Sequence, residues 1–537
     1  MPSTAPSGAV PETWDMEAEI VILGAGGAGL AAACTAKEAG ASVLVLEKAE
    51  VTGGDTALSE QGMLGPWPEG QKAMGGIDDT VESYMEDLRQ SYKWGAFADA
   101  GRPMPDEQPF TQLQNELVSE MMDWTMNTIG VGWTISGTAD DPICEGVLPN
   151  YNWGTKGGRT WVAMDPETAI IPAFNKACKE MGIDIHLRTE ADRLIANEEG
   201  RIVGVYAYDE KDNLIAVKAT KAVIVATGCF AANRGMMARY LPNTHSIQSC
   251  GCAGATGDGI RMIRAVGGTI SEMDLGCHWI PLEAGTNSGQ YSMSLFLFGG
   301  EKGKAPISQQ PGIMLNYEGK RFVAETNGYS LIGRAIAQEV CQESWYVFDS
   351  HPNVADLVLF AMPFVNRVVQ ADSIEELCEL MRIPVDATKE TIEEYNGYIA
   401  TGKDSAFDKC LDGCQPVDQG PFYAINLRPK PYCTYGGVDV DLDAHVLNGA
   451  KEPIKGLYAA GIVTGSFSAR EGFFYNGAVN QALVFGRLAA KNAIEEEAWA
   501  EASPTGDESA GQSSYMVNCS DCHGDHRQPG QANAHGY

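Results

Sequence analysis

Positive charge is scarce in this chain: 38 lysines and arginines stand against 71 aspartates and glutamates, a net of −33 over 537 residues. A surface of that sign is repelled by phosphate backbones and anionic membranes, which excludes nucleic acid as a partner. Long apolar runs are also missing. No stretch approaches the ~18 residues needed to cross a bilayer, and Met1 to Glu19 offers neither a basic region nor an apolar core for an export signal. The fourteen cysteines are mostly scattered singly, so no disulfide framework is spelled out and they read as reduced core thiols. The expectation is a cytoplasmic, soluble protein with no transmembrane segment. A hydrophobic fraction of 44% and a charged fraction of 20% are ordinary for a globular chain, and the length allows more than one core.

What is present begins at Glu19. An apolar run, Ile20 to Leu23, meets Gly24-x-Gly26-x-x-Gly29, an Ala-rich segment follows, and a second apolar run ends on Glu47. That order reads strand, glycine turn, helix, strand. Gly24 permits the tight turn, Gly26 lets the backbone approach a pyrophosphate, and Gly29 lets the helix lie close on the strand. The helix N-terminus then faces the phosphates. Glu47 stands where a carboxylate accepts the hydroxyls of an adenosine ribose, so the segment predicts a dinucleotide site.

Further along, Val51 to Met63 is a small-residue loop placed to run beside the rest of the cofactor. Residues 80–130 carry helical spacing with Tyr84, Leu88, Leu113, Leu117, Met121 and Trp124 on the core side. Ile202 to Tyr208 alternates like a half-exposed strand, while Lys221 to Gly228 reads as a buried strand ending in small residues. Gly257-Asp258-Gly259 opens a helix, Gly456 to Gly461 is a second short strand, and Ala478 to Ile494 is a final helix. The fold class is α/β: a Rossmann-like domain over residues 19–275 and 433–495, split by an inserted region at 276–432. Residues 1–18 and 496–537 read as polar, disordered tails.

Five ordered motifs carry a family resemblance: Gly24–Gly29 with Glu47-Lys48, Gly53-Gly54-Asp55, Ala226-Thr227-Gly228, Gly257-Asp258-Gly259 and Leu457 to Gly461. Together with Gly319 to Glu325 they resemble the flavoproteins that include fumarate reductases, succinate dehydrogenases and 3-ketosteroid Δ1-dehydrogenases, over roughly residues 19–495. The resemblance implies FAD, an α+β capping domain in the inserted region, and substrate held between flavin and cap. It places cofactor contacts at Gly24, Gly26, Gly27, Ala28, Gly29, Glu47, Lys48, Gly54, Asp55, Thr56, Gly62, Ala191, Thr227, Gly228, Asp258, Gly461, Ile462, Gly477 and Ala478. Family members with covalent flavin have a histidine in the loop that here runs Asp55 to Met63; none is present, so FAD is expected to be non-covalent.

The departures concern the substrate. Dicarboxylate reductases have an arginine proton donor where this chain has Tyr329, four residues after Glu325. The ketosteroid dehydrogenases have tyrosine there. The reductases' His-His pair falls on Tyr432-Cys433, and their carboxylate-binding arginine falls on Gly472. A buried carboxylate is costly unless paired, so a site without those groups predicts a neutral, flatter, cyclic substrate such as a steroid-like enone or a plant polyphenol. Tyr329 is the candidate proton donor or acceptor, with Tyr475 or Tyr435 bonding the activating carbonyl. Tyr432, Arg470 and Phe474 are candidate substrate contacts among aromatics of which about half are core. Arg470 reads equally as an ion-pair residue, and His278 reads as structural. Two alternatives stand beside this one: a reductase of an unsaturated monocarboxylate such as an aryl acrylate, with Arg470 replacing the lost arginine, and a flavin electron-transfer subunit with no substrate of its own. The partners expected are a small-molecule substrate and an electron donor or acceptor (a quinone, reduced flavin or a redox protein).

The tail holds Cys519-Ser-Asp-Cys522-His523, the attachment pattern of c-type haem, and with His526 and His535 a loose zinc-ligand set. Haem, another metal and an unliganded tail all remain open there.

Overall fold

The run Ile20 to Leu23 has no polar member, and a strand apolar on both sides must be covered on both. In the computed structural model all four residues are fully buried in the strand Met16–Leu23, inside an eight-stranded sheet. The structure describes residues 10–499 apart from 60–61, 74–78, 137–158, 164, 243, 245–246, 284–311, 326–328, 352–367, 410, 412–413 and 475. Val43–Leu46 lies parallel on one side of the first strand, with Ile20 opposite Val43. Leu214–Val225 lies parallel on the other, with Ile20 opposite Ala222. Asp184–His186 extends the first side and Pro453–Ala459 the second, both again parallel, and His445–Leu447 closes that edge antiparallel. Each fully buried aliphatic side chain contributes about 1.5–3 kcal/mol.

The helix Gly27–Glu38 explains its own alanines. Residues 27–36 are all buried, because the helix is wedged against the sheet, the final helix Ala478–Ala493 and the helix Ile170–Met181. A helix covered all round needs small apolar residues all round.

Two sequence expectations change at the edges. Ile202–Tyr208 forms a strand, but its first six residues are buried rather than alternately exposed. The reason is a second layer: Val10, Trp14, Leu214 and Trp499 pack over Ile195, Val203, Tyr206 and Ala216. The same contacts order residues 10–18 and 496–499, which read as tails from composition. Asp15 N–H donates to the Ala216 carbonyl and Trp499 N–H to that of Thr220. Leu113 and Leu117 are only partly buried, unlike Tyr84, Leu88, Met121 and Trp124. Residues 500–537, with Cys519, Cys522 and His523, lie outside the described residues.

The inserted region is built on a five-stranded antiparallel sheet of Cys277–Glu283, Phe422–Thr434, Ser344–Phe348, Ile313–Leu315 and Val368–Ala371. Alternate residues serve its two faces, as a pleat of period two requires. Tyr346 and Phe348 join Ile332 and Ile336 of the helix Tyr329–Gln338; Trp345 and Val347 join Leu377, Ile392 and Tyr395 on the other face. The strand Phe422–Thr434 runs through residue 432 without a break. The fold is thus α/β, a Rossmann-like sheet domain drawn from both ends of the chain with an inserted α+β region. No helix among the described residues is long and apolar enough to cross a membrane.

Candidate active site

The carboxyl ends of the parallel strands meet the N-terminus of Gly27–Glu38, and a cleft opens there. Gly24 has φ of 102°, a left-handed conformation that L side chains rarely adopt, and a Cβ on it would also strike the Ala226 carbonyl. Gly26 caps the helix without a side-chain bond, so the helix end stays open to an anion. Glu47 follows the strand Val43–Leu46; its Oε2 accepts from Ala25 N–H and its Oε1 from Ala49 N–H, each at 2.8 Å. That fixes the carboxylate with acceptor capacity to spare.

Lys48 reaches across to the opening of the helix Asp258–Ala265. Its Nζ lies 2.5 Å from Asp258 Oδ2 and 2.6 Å from Thr256 Oγ1. Burial would raise Asp258, but its bonds to Lys48, Arg261 and Thr256 prevail and hold it below the usual carboxylate range. Asp55 behaves oppositely. Burial pushes its carboxyl up to about 6, only partly offset by the Cys252 N–H that donates to Oδ1 at 2.5 Å. The Asp55 carbonyl accepts from the Tyr432 hydroxyl at 2.6 Å, and Thr56 Oγ1 accepts from Gly27 N–H at 3.2 Å.

Of the residues expected from sequence, Gly24, Gly26, Gly27, Ala28, Glu47, Lys48, Gly54, Asp55, Thr56, Ala191, Thr227, Gly228, Asp258, Gly461 and Ile462 line this cleft. Four expected residues are not among those lining it. Gly29 sits behind, where a Cβ would run into the Gly24 carbonyl. Gly62 is paired with Val162 in a strand, and Gly477 and Ala478 begin the final helix. Cys252, Gly254, Ala255 and Met262 line the cleft without having been expected. Their signal was proximity: the first three directly precede Gly257-Asp258, and Met262 lies one helical turn beyond Asp258.

On the other side of the Asp55 loop the residues come from the inserted region and its return. Tyr432, Cys433, Cys229 and Cys250 share one buried cluster. Burial first, then the nearby acid Asp55, pushes Cys229 up to about 12, and burial alone leads the same shift in Cys250. The ten described cysteines are all free thiols. Tyr435 is buried beside Gly276, its N–H donating to the Gly276 carbonyl at 3.0 Å. Phe474 packs with Leu64, Tyr84, Met85 and Phe473, which makes it core. Arg470 does not reach out as a substrate contact must. It donates to the Thr464 carbonyl at 2.6 Å and to Asp439 Oδ1 at 2.6 Å, and it also bonds Ser271. The ion-pair alternative is the one its contacts fit. Tyr329 begins the helix Tyr329–Gln338, but its side chain, like Tyr475, lies outside the described residues.

A family described as FAD binding domain matches residues 19–471. The chain belongs to that family. It is an FAD-dependent oxidoreductase, and this flavoprotein has relatives of several specificities. It is 29% identical over 480 residues to "Probable fumarate reductase Ifc3" of Shewanella frigidimarina, covering 89% of this chain and 75% of that one. It is 27% identical over 472 residues to "Vinyl phenol reductase" of Lactiplantibacillus plantarum, covering 82% and 89%. Among solved structures it is similar to a 3-ketosteroid-Δ4-(5α)-dehydrogenase from Rhodococcus jostii RHA1 in complex with 4-androstene-3,17-dione, with a TM-score of 0.71 at 25% identity, covering 91% and 100%.

The cleft fits FAD on its own chemistry. It joins a helix end whose cap residue makes no side-chain bond, a fixed carboxylate after a parallel strand, and glycines where side chains would fill the space. Thr227 Oγ1 is buried among the lining residues with no hydrogen-bond partner among the described residues. Such an orphan costs about 1–3 kcal/mol unless a ligand satisfies it.

Proposed function

We propose that the flavoprotein reduces or dehydrogenates a carbon–carbon bond next to a carbonyl or aryl group in a neutral cyclic substrate. When bound non-covalently, FAD supplies the hydride exchange. The chain's own task is to orient the substrate, exclude water and move one proton. Tyr329 carries that proton, at the head of a helix lying on the inserted sheet, and Tyr435 donates a hydrogen bond to the carbonyl. Residues 276–432 act as the cap that covers the substrate.

The observation that carries this reading is the fate of the positive charges. The positions of the dicarboxylate reductases' proton-donor arginine, histidine pair and carboxylate-binding arginine are here Tyr329, Tyr432-Cys433 and Gly472, and Arg470 is committed to Asp439. A carboxylate left unpaired there would cost several kcal/mol. One observation favours the monocarboxylate alternative: Arg334, on the same helix as Tyr329, is close enough to act electrostatically on Tyr435. It sits where one carboxylate of an aryl acrylate could be met. Electrons come from, or go to, a small redox partner.

The test is anaerobic stopped-flow of the reduced protein against fumarate, an aryl acrylate, a 3-ketosteroid and an isoflavonoid, following flavin absorbance. Rapid reoxidation by a neutral cyclic acceptor with fumarate inert supports the proposal. Rapid reoxidation by the aryl acrylate, abolished by R334Q, moves the assignment to the alternative. Reaction with fumarate overturns the charge argument.

A further inference from the structure

We propose that Gln481 is a positioning residue for the flavin half of FAD, acting through residues 461–467, the turn that it clamps to the final helix. This rests on the FAD assignment alone and not on the substrate proposed above. The sheet order gives the turn its place. Neighbouring strands run Pro453–Ala459, Leu214–Val225, Met16–Leu23, Val43–Leu46. Glu47 directly follows the last of these, and Gly461 comes two residues after the first. They stand three strand spacings apart, about 14 Å at roughly 4.8 Å per spacing. A dinucleotide whose ribose meets Glu47 and whose pyrophosphate meets the helix end beside Met16–Leu23 therefore extends its other half toward Gly461. Ala460, Gly461, Ile462 and Ala482 line the cleft on that side.

The turn is poorly suited to hold itself. Its helical part, Gly461–Thr464, is a single 3₁₀ turn, too short to be stable alone. It is bounded by Gly461 and Gly465, both at positive φ, 76° and 74°. Within it, Thr464 Oγ1 donates to the Gly461 carbonyl at 2.8 Å and Gly465 N–H to the Ile462 carbonyl at 3.0 Å. The outside support comes from the helix Ala478–Ala493, which is buried along most of its length against Gly27–Glu38. A side chain on such a helix is a fixed anchor. Gln481 Nε2 lies 2.7 Å from the Gly465 carbonyl, 3.1 Å from Thr464 Oγ1 and 3.3 Å from the Gly461 carbonyl. Its Oε1 accepts from Phe467 N–H at 3.0 Å.

These partners leave the amide one orientation. The two carbonyls can only accept, so the nitrogen faces them, and Phe467 N–H can only donate, so the oxygen faces it. Thr464 spends its own proton on Gly461 and so accepts from the amide. Gln481 is 3% exposed and Thr464 0%, so water offers no replacement for these bonds. Gly461 is meanwhile held between two helices: a Cβ on it would stand 2.8 Å from Ala28 Cβ and 3.9 Å from Ala482 Cβ. A shift of the turn therefore moves the wall of the cleft.

The experiment dilutes FAD-loaded wild type, Q481L, Q481E and E47Q and follows FAD release by the recovery of free-flavin fluorescence. The visible spectrum of the bound flavin is recorded beforehand. E47Q is the control for the nucleotide end: it should release FAD faster and keep the wild-type spectrum. Q481L leaves the turn's carbonyls without their donor, and FAD is held only by molecules with the turn in place. Release should be about ten- to a hundredfold faster, with the flavin bands shifted because the ring's surroundings have changed. Q481E should match Q481L at pH 8, where a carboxylate faces two carbonyls. It should return toward wild type at pH 5, where the carboxyl gains a proton and can donate to Gly465; each rate is compared with wild type at the same pH. Wild-type release from Q481L overturns the inference. So does faster release with an unchanged spectrum, which would put its effect with that of E47Q, and so does a Q481E protein that stays as fast at pH 5. Should Q481L not hold FAD, the two pH values of Q481E decide alone.

Discussion

The nucleotide cleft and the corner proposed for the substrate, around Tyr435, are made of different material. The first is mostly backbone: a helix end, glycine turns and one anchored carboxylate, all within 30 residues of the first strand. The second is mostly side chain: Tyr435 just past the strand Phe422–Thr434, and Tyr432 and Cys433 at that strand's end, packed with Cys229 and Cys250 from elsewhere in the chain. Backbone recognition constrains local sequence, because only certain residues permit the geometry. Side-chain recognition constrains only where distant segments meet. A relative can therefore keep the first and exchange the second, which is how a shared cofactor accompanies different acceptors.

The comparison breaks most sharply if the two ends fail together. Tyr329→Phe should cost about a hundred- to a thousandfold in turnover while leaving FAD bound, as read by flavin absorbance per mole of protein. Loss of both would mean that the ends are not separable. Gly29→Ala should do the reverse. Its new Cβ meets the Gly24 carbonyl, an overpacking that costs about 1–3 kcal/mol, and FAD content should fall before folding does.

Asp55 lies between the two ends and gives a pH test. Its folded value of about 6 is above the unfolded one near 3.9, so folding favours the protonated form. The penalty is present above pH 6 and is relieved as pH falls through the folded value. Asp55→Asn should therefore raise the stability of the FAD-free protein by about 2–3 kcal/mol at pH 8 and by little at pH 4, measured by urea unfolding at both. Equal gains at the two pH values would show that burial does not raise Asp55. The smallest effect belongs to Arg470→Gln. Removing a partly buried partner of Asp439 should cost about 1–3 kcal/mol of stability and leave the preference between fumarate and a neutral acceptor unchanged. A shifted preference would return Arg470 to the substrate.

The two ends also differ in how far they could be read from the chain. Fifteen of the expected cofactor positions line the cleft because Gly24–Gly29, Glu47 and Asp258 carry their geometry in their spacing. Gly29 and Gly477 were legible as glycines but not as packing rather than lining residues, since both uses ask for the same residue. The corner around Tyr435 carried no such signal. Its place depends on Gly333 docking a helix onto a strand fifty residues earlier, and on pairing that slips by one between Cys277 and Trp279. Ile202 to Tyr208 misled because its alternation promised solvent on one face, and the cover comes from Trp14 and Trp499, at the two ends of the described chain.

That cover has a topological consequence. Trp14 and Trp499 meet edge to face with ring centroids 6.4 Å apart, over the same buried patch of Ile195, Val203, Tyr206 and Ala216. The described chain thus nearly closes on itself. A short peptide joining residue 499 back to residue 10 would make a ring, and a cut in an exposed loop elsewhere would give a permuted protein with the same strand order in space.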